Sequence, residues 1–431
     1  MVMRRISALM AGICLLTALA HSGQSRSGAL GPASRFLMDD TDLWAWPQLA
    51  WFYTRGVFVE LGDEPPAVSR KSSVLGTYSS AERTLGVFGL AVNRVSPALG
   101  EFSAYLNPRI QVNDSTSVAA NIVELLQDRG LGAGLPPVPE PQAGFDLFYA
   151  RKLGGFNAGV RLEHASAGTG DEYTGSSYRA GSSSAGAALG CGYEFTEKLR
   201  ADAGIGFDFL SFSSEHKLDP GGYSETLDSD GGSHLSFLAR AFYSLNDELA
   251  LVPVLGLERA SLGYRYARSE GGLAAGGKTT SSGLSLGAGL QFRPSQRLLL
   301  AAGLEAERRS QGIADSLIHG SPGETGSTAI ATALPRLSIG FEAQLNRWLQ
   351  LRGGASKARS LRAVTRDYTD GTSQKLEQQD QPYEFAAGFG IRAGGLSLDL
   401  TFNPEMLYTG GKVLSGAGTQ PFTRASAAYR F

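Results

Sequence analysis

From Phe145 to the C-terminus, apolar residues recur at every second position, so almost this whole stretch presents two chemically different faces. A period of two is the mark of β-strands. Leu396, Leu398, Leu400 and Phe402 alternate with Ser397, Asp399, Thr401 and Asn403. Tyr383, Phe385, Ala387, Phe389 and Ile391 alternate in the same way with Glu384, Ala386, Gly388, Gly390 and Arg392. The runs are mostly about 9–12 residues long, near the ~9–11 that a tilted strand needs to cross a bilayer; soluble sandwiches use strands of about 5–6 with a bulky inner face. The second face here is Gly, Ala, Ser and isolated charges of both signs, which suits a wet or loosely filled lumen. Glycine, 56 of 431 residues or about 13% against ~7% in typical chains, supplies much of that face and eases strand bending.

The connections carry a second regularity. Short turns at 153–155, 196–198, 246–248, 293–296, 346–348 and 393–395 alternate with long polar segments at 166–180, 213–232, 268–278, 310–327, 361–381 and 409–421. Short turns on one rim and long loops on the other predict a transmembrane antiparallel β-barrel with short periplasmic turns and long extracellular loops. Aromatics sit where a membrane interface wants them: Tyr149, Phe156, Phe195, Tyr243, Phe292 and Trp348 beside the short turns, and Phe209, Phe212, Tyr264, Tyr266, Tyr383 and Tyr408 near the loop ends. Candidate strands upstream at 56–62, 72–79 and 83–94 bring the count to about sixteen; weak alternation over 72–79 leaves fourteen as the alternative.

Residues 1–20 hold Arg4-Arg5, an apolar run and the small-residue site Ala18-Leu19-Ala20, a secretory signal peptide with cleavage expected after Ala20. Export with a barrel pattern predicts the bacterial outer membrane. Cys14 leaves with the signal, so Cys191 stands alone and no intrachain disulfide is expected. With 39 basic against 41 acidic residues and no basic block, a nucleic-acid partner is not expected. Residues 21–54 form an N-terminal segment and 55–431 the barrel, with an insertion at about 95–142 where the alternation breaks. There Asp114-Ser115-Thr116 caps an expected helix with Val118, Ile122, Leu125 and Leu126 on one face, followed by the stiff Leu135-Pro136-Pro137-Val138-Pro139. The insertion belongs with the extracellular loops; it can close the mouth, dip into the lumen, or leave a helix on the loop surface.

No catalytic, metal or cofactor pattern emerges, and the chain is not expected to be an enzyme. Gly272–Thr279 fits G-x4-G-K-[ST] but leads into alternating strand residues rather than a helix, so it reads as a glycine-rich loop. Glu163-His164, Glu215-His216 and Asp315 with His319 read as solvated loop residues, and Asp219, Glu225, Asp228 and Asp230 as an ordinary acidic loop. The lumen-facing candidates are Arg161, Arg200, Asp202, Asp208, Arg240, Arg336, Glu342, Arg352, Glu384, Arg392, Asp399 and Arg424. Their balanced signs predict cross-strand pairs that brace the wall, without strong ion selectivity.

The ending Tyr429-Arg430-Phe431 resembles the terminal strand of bacterial outer-membrane barrels, in which Tyr429 and Phe431 would be an assembly signal for the barrel-assembly machinery. Near the other end, Asp39-Asp40-Thr41-Asp42-Leu43-Trp44-Ala45-Trp46-Pro47 precedes Val57-Phe58-Val59-Glu60-Leu61; Thr84–Gly89 and Phe148–Gly154 follow. These stretches resemble the FadL-like (long-chain fatty-acid transporter) and PorV-like outer-membrane family, where an acidic-aromatic stretch leads from a lumen-occluding segment into the first strand. The resemblance implies a plug carrying Asp40, Asp42, Trp44, Trp46 and Pro47, and passive passage of a small solute, an apolar one included. Its alternative is a non-conducting barrel serving as a structural or secretion-partner platform. Expected partners are outer-membrane lipid and lipopolysaccharide.

Overall fold

In a computed structural model of the chain, the described residues are 24–37, 43–52, 56–62, 71–79, 86–92, 110–113, 116–118, 132, 134–136, 138–139, 143–219, 221–315, 324–368, 370–402 and 422–430. The expected signal peptide with Ala20, the plug residues Asp40 and Asp42, and Phe431 lie outside them.

Seventeen strands form one antiparallel sheet. They are β1 Gly56–Gly62, β2 Lys71–Ser79, β3 Val87–Val92, β4 Ala143–Leu153, β5 Phe156–Tyr173, β6 Ser176–Thr196, β7 Leu199–Leu218, β8 Tyr223–Ser244, β9 Leu249–Arg268, β10 Leu273–Ser295, β11 Leu298–Asp315, β12 Glu324–Gln344, β13 Leu349–Tyr368, β14 in two pieces, Ser373–Asp380 and Tyr383–Ala393, β15 Leu396–Phe402 and β16 Phe422–Arg430. Both pieces of β14 pair with the same edge of β13. Pro382, which has no N–H to give a ladder, interrupts them. The described sheet therefore has sixteen staves rather than fourteen. Each pairs with its chain neighbour, and β1, already paired with β2, takes β16 on its other edge with Glu60 opposite Ser426. Among the described residues the piece Ser373–Asp380 pairs on its β13 side alone, and every other strand of the sheet has a partner on both edges, as a hydrocarbon environment demands.

Where they are described, the long polar segments expected as loops are largely continuations of the ladder; 316–323 and 409–421 lie outside the described residues. β5 and β6 stay paired from Phe156↔Tyr193 out to Tyr173↔Ser176. β8 and β9 stay paired as far as Glu225↔Arg268. The hairpin ends are tight: Gly175, at φ 87, turns β5 into β6. Above the membrane the outer face of a hairpin meets water instead of lipid, so Ser, Thr, Gly and charge replace its apolar residues while the backbone keeps its hydrogen bonds. The alternating runs thus measured the apolar belt, not the strands, most of which from β5 to β13 run 18–23 residues.

On the outer face Leu162, Leu189, Ile205, Leu257, Leu286 and Ile339 are exposed, with Phe195, Tyr243 and Trp348 at the short-turn rim and Phe209 and Tyr383 at the other. Phe212, Tyr264 and Tyr266, expected at that outer rim, are instead buried on the inner face. Two irregularities reset the faces. β8 shifts register against β7 between Asp228 and Gly232, and β12 shifts against β13 between Ala333 and Arg336. One extra residue reverses the inside–outside assignment beyond it. In the insertion, Ile110–Asn113 pairs with Thr116–Val118, so a strand stands where the helix was expected to begin; 119–131 lie outside the described residues.

Ring closure at the β1–β16 seam predicts a specific crosslink. Val59 and Ala427 stand opposite each other, about 4.5–5.5 Å apart at Cα, within disulfide reach. In a Cys191→Ser background, Val59→Cys with Ala427→Cys will give a reducible crosslink on a non-reducing gel. Val57→Cys with Ala427→Cys, two residues out of register, will not.

Candidate functional site

The interior of this barrel is occupied by its own N-terminus. Helix α1 Gln24–Leu30 continues into a 3-10 turn Gly31–Phe36, and a second 3-10 turn spans Pro47–Phe52. Ala29, Leu30, Ala33, Phe36, Leu49 and Ala50 are at most 1% exposed. Their seats are wall glycines: a Cβ on Gly289 or Gly303 would collide with the Phe36 ring, one on Gly354 with the Leu30 carbonyl, and one on Gly159 with the Pro47–Gln48 backbone. The glycine-rich inner face is a socket, not a loosely filled lumen. All four glycines lie about four to seven residues from the short turns, so the plug fills the periplasmic half, about 15–20 Å of barrel height at most once strand tilt is allowed for.

Charges fasten the plug to the wall. Arg26 Nε lies 2.8 Å from Glu342 Oε2, and Arg352 Nε reaches the same oxygen at 2.8 Å. Arg352, 1% exposed, also pairs with Asp399 and donates to Gln350 Oε1 at 2.9 Å. Arg35 Nη1 pairs with Glu305 at 3.1 Å, and Gln291 donates to the Phe36 carbonyl. On the facing wall Asp202 joins Arg200 at 2.9 Å and Arg240 at 3.4 Å. Arg240 donates to the Leu37 carbonyl at 3.2 Å and stacks over Trp46 at 4.7 Å, while Arg200 stacks over Phe52 at 4.9 Å. Gln48 donates to the Cys191 carbonyl at 3.0 Å. Arg161 donates to the Trp44 carbonyl at 2.8 Å and pairs with Glu163 at 2.7 Å. Trp44 meets Phe148 edge-on at 5.7 Å, and Pro47 is buried.

The remaining sequence candidates scatter. Asp208 faces His234 at 2.9 Å, and Arg336 pairs with Glu307 at 3.2 Å. Arg424 lies beside Gly28 of α1. Glu384 is exposed and accepts from Ser356 at 3.3 Å; Arg392 is exposed near the short-turn rim. Tyr429 is 51% exposed on the outer face, opposite Val57 and Leu396. Arg26, Arg35 and Gln291 were missed. The first two precede any strand pattern, and only the glycines at 289 and 303 hinted that something pressed against that wall.

A second segment fills the mouth. Leu135, 3% exposed, packs among inward-facing Leu210, Phe212, Leu227, Leu262, Tyr264 and Tyr266. Ser214 donates to the Pro136 carbonyl at 2.7 Å, and Ser182 to that of Pro139. Of the placements open to the insertion, these residues take the lumen. Tyr266 Oη donates to Glu225 at 2.9 Å; burial, then this carboxylate, pushes the hydroxyl up to about 12, so it remains a donor. His216, read as a solvated loop residue, and Glu225, read as part of an ordinary acidic loop, are both buried, and His216 stacks on Tyr178 at 4.6 Å. Between the fillings lies a cavity of about 290 Å³ lined by Arg161, Asp208, His234, Glu258, Glu307 and Arg309. Arg309 and Glu258 are 3.0 Å apart. Among the described residues no cluster of three or more His, Cys, Asp or Glu is placed to hold a metal, and no helix is long and apolar enough to cross a membrane.

No family model and no curated protein matches the chain. Solved structures it is similar to include the Pseudomonas putida toluene transporter TodX, at TM-score 0.41 and 12% identity over 96% of this chain and 99% of that one. A Pseudomonas aeruginosa FadL homologue gives TM-score 0.43 and 12% identity over the same shares. The Ralstonia pickettii toluene transporter TbuX gives 0.38 and 11% over 94% and 99%.

Two substitutions test the socket. Gly303→Val will expel Phe36, making residues 24–52 sensitive to added protease in a barrel that still shows heat-modifiable gel migration. Arg352→Ala leaves Glu342 and Asp399 largely buried without this partner, and will lower unfolding stability in detergent by about 2–3 kcal/mol, measured by denaturant titration.

Proposed function

We propose that this chain is a plugged outer-membrane channel for a small apolar or amphipathic solute. The observation that carries the reading is the inward-facing apolar cluster at the mouth, Leu210, Phe212, Leu227, Leu262, Tyr264 and Tyr266. A barrel with no traffic has no need of apolar side chains on the inside of an extension that stands in water. Leu135 occupies that cluster and gives an entering apolar group something its own size to displace. Beyond it, the cavity offers Arg309, Glu258 and His234 to a polar end of the solute, and the N-terminal plug closes the exit.

The plug suits a reversible closure. Its polar wall contacts are ion pairs and side-chain bonds to backbone carbonyls, which water can replace singly, and no covalent link to the wall is present among the described residues. Export through the signal peptide and insertion guided by Tyr429 and Phe431 belong to the same proposal. A second reading, a non-conducting platform, is favoured by the filling of the lumen at both ends.

Planar-bilayer recording separates the two. The intact chain will show rare, small openings, and deletion of residues 24–52 will give steady, larger single-channel steps. A deleted barrel that inserts, retains heat-modifiable migration and stays silent would sink the channel reading and support the platform.

A further inference from the structure

On the outer face, one sector departs from a uniformly apolar belt in two ways that coincide. The first is a recess of about 700 Å³ over β10–β14. Small outward residues, Ala302, Gly353, Ala355 and Ala387, lie among bulky ones such as Leu290, Phe292, Ile339, Phe341 and Phe385. The registers put Leu290, Ala302, Ile339, Ala355 and Phe385 in one row across five neighbouring strands. Directly above, two residues further along each strand, stand Leu304, Leu337, Lys357 and Tyr383.

The second departure is charge at that upper edge. Lys357 pairs across to Tyr383, which is 69% exposed. Two residues on, Arg359 also points outward and donates to Gln379 at 3.3 Å. Arg308, exposed, lies opposite Thr332, which lies opposite Leu361 of β13. Arg308 is thus two strand spacings across from Leu361, which places its Cα about 12 Å from that of Arg359 and about 16 Å from that of Lys357, gaps that three long side chains and one polar headgroup span together. Among the described residues none of the three forms an ion pair with a carboxylate. Their height is telling. Trp348 marks the short-turn rim, and Lys357 is nine residues beyond it, or about 23–25 Å of barrel height at the usual strand tilt, the thickness of the apolar band. The cations therefore sit where the outward leaflet's headgroups begin.

We propose that this sector is a binding site for a phosphorylated, acylated lipid of the outward leaflet, acyl chain in the recess and phosphate on Arg308, Lys357 and Arg359. A row of small side chains walled by rings gives an acyl chain more contact than the flat belt does. Three cations at the headgroup boundary without carboxylate partners, beside an interfacial tyrosine, are complementary to a phosphate bridging them. An uncharged lipid fills the recess but leaves the cations unmatched, and free phosphate uses the cations alone.

The test uses the full-length mature chain refolded in an uncharged detergent, with native mass spectrometry reading retained lipid. The probes are a bis-phosphorylated acylated glucosamine disaccharide, its dephosphorylated form, and inorganic phosphate. The wild type will retain the phosphorylated lipid. Arg308→Ala with Lys357→Ala and Arg359→Ala will weaken retention about a hundredfold, about fivefold for each charge removed. Ala355→Phe, which fills the recess and keeps the charges, will weaken it about tenfold. Heat-modifiable migration establishes that each variant is folded. Retention unchanged in the triple variant, equal retention of the dephosphorylated lipid, or displacement by inorganic phosphate at matching concentration would each overturn the proposal.

Discussion

Inside hydrocarbon a backbone N–H or C=O has no water to fall back on, and the rest of this structure follows from that condition. A sheet can meet it only by having no edge, which the pairing of β1 with β16 achieves. Closure then assigns the side chains: outward ones meet lipid and are apolar, while inward ones enclose a space that sixteen staves make too wide for wall side chains alone to fill. The chain fills it with two of its own segments, from the N-terminus below and from the insertion above. Neither segment could be stable alone; α1 has seven residues, far fewer than an isolated helix needs.

The seating combines two kinds of contact with opposite demands. Phe36, Leu30 and the Pro47 turn need wall positions without side chains, so that backbone and ring meet at van der Waals distance. The charged contacts need long side chains held in register, and the wall supplies them next to the glycines: Arg352 stands two residues from Gly354, and Glu305 two from Gly303. Shape fixes where the plug rests and charge fixes how it is turned. Because each inner position has only one neighbour in kind on the adjacent strand, a one-residue slip would put Arg352 in the lipid and Gly353 against the plug.

The architecture was legible because its cause is periodic. Leu396–Phe402 and Tyr383–Ala393 announce themselves in any window, and so do the short turns, since Asn246 and Asn346 each cap a tight turn by accepting backbone N–H bonds at 2.8–2.9 Å. Strand length was not legible, because beyond the membrane nothing enforces alternation: 166–180 reads as loop although every residue from Ser166 to Tyr173 is paired. Phe212, Tyr264 and Tyr266 misread as interface residues for a related reason. An aromatic near a loop end looks the same in sequence whether it faces lipid or lumen unless its parity is counted: Phe212 shares that of Asp202 and Asp208 on β7, and Tyr264 and Tyr266 that of Ala260 on β9, all buried. The inward charges were identified by their alternation with outward apolar residues, but their partners on the plug were not, since Arg26–Glu342 spans 316 positions.

The plug's contacts also set an order of events. The Pro47–Phe52 turn rests on β3 to β6, near the start of the ring, whereas α1 rests on β13 to β16, its end. The first segment to be made therefore cannot settle until the last strands exist, and those last strands close the ring around it. A chain cut short of β14 keeps Glu342 and Gly354 but lacks β14, β15 and β16, the larger part of the wall on which α1 rests. Seating the N-terminus is in effect a completeness check, read by the molecule itself when the barrel shuts.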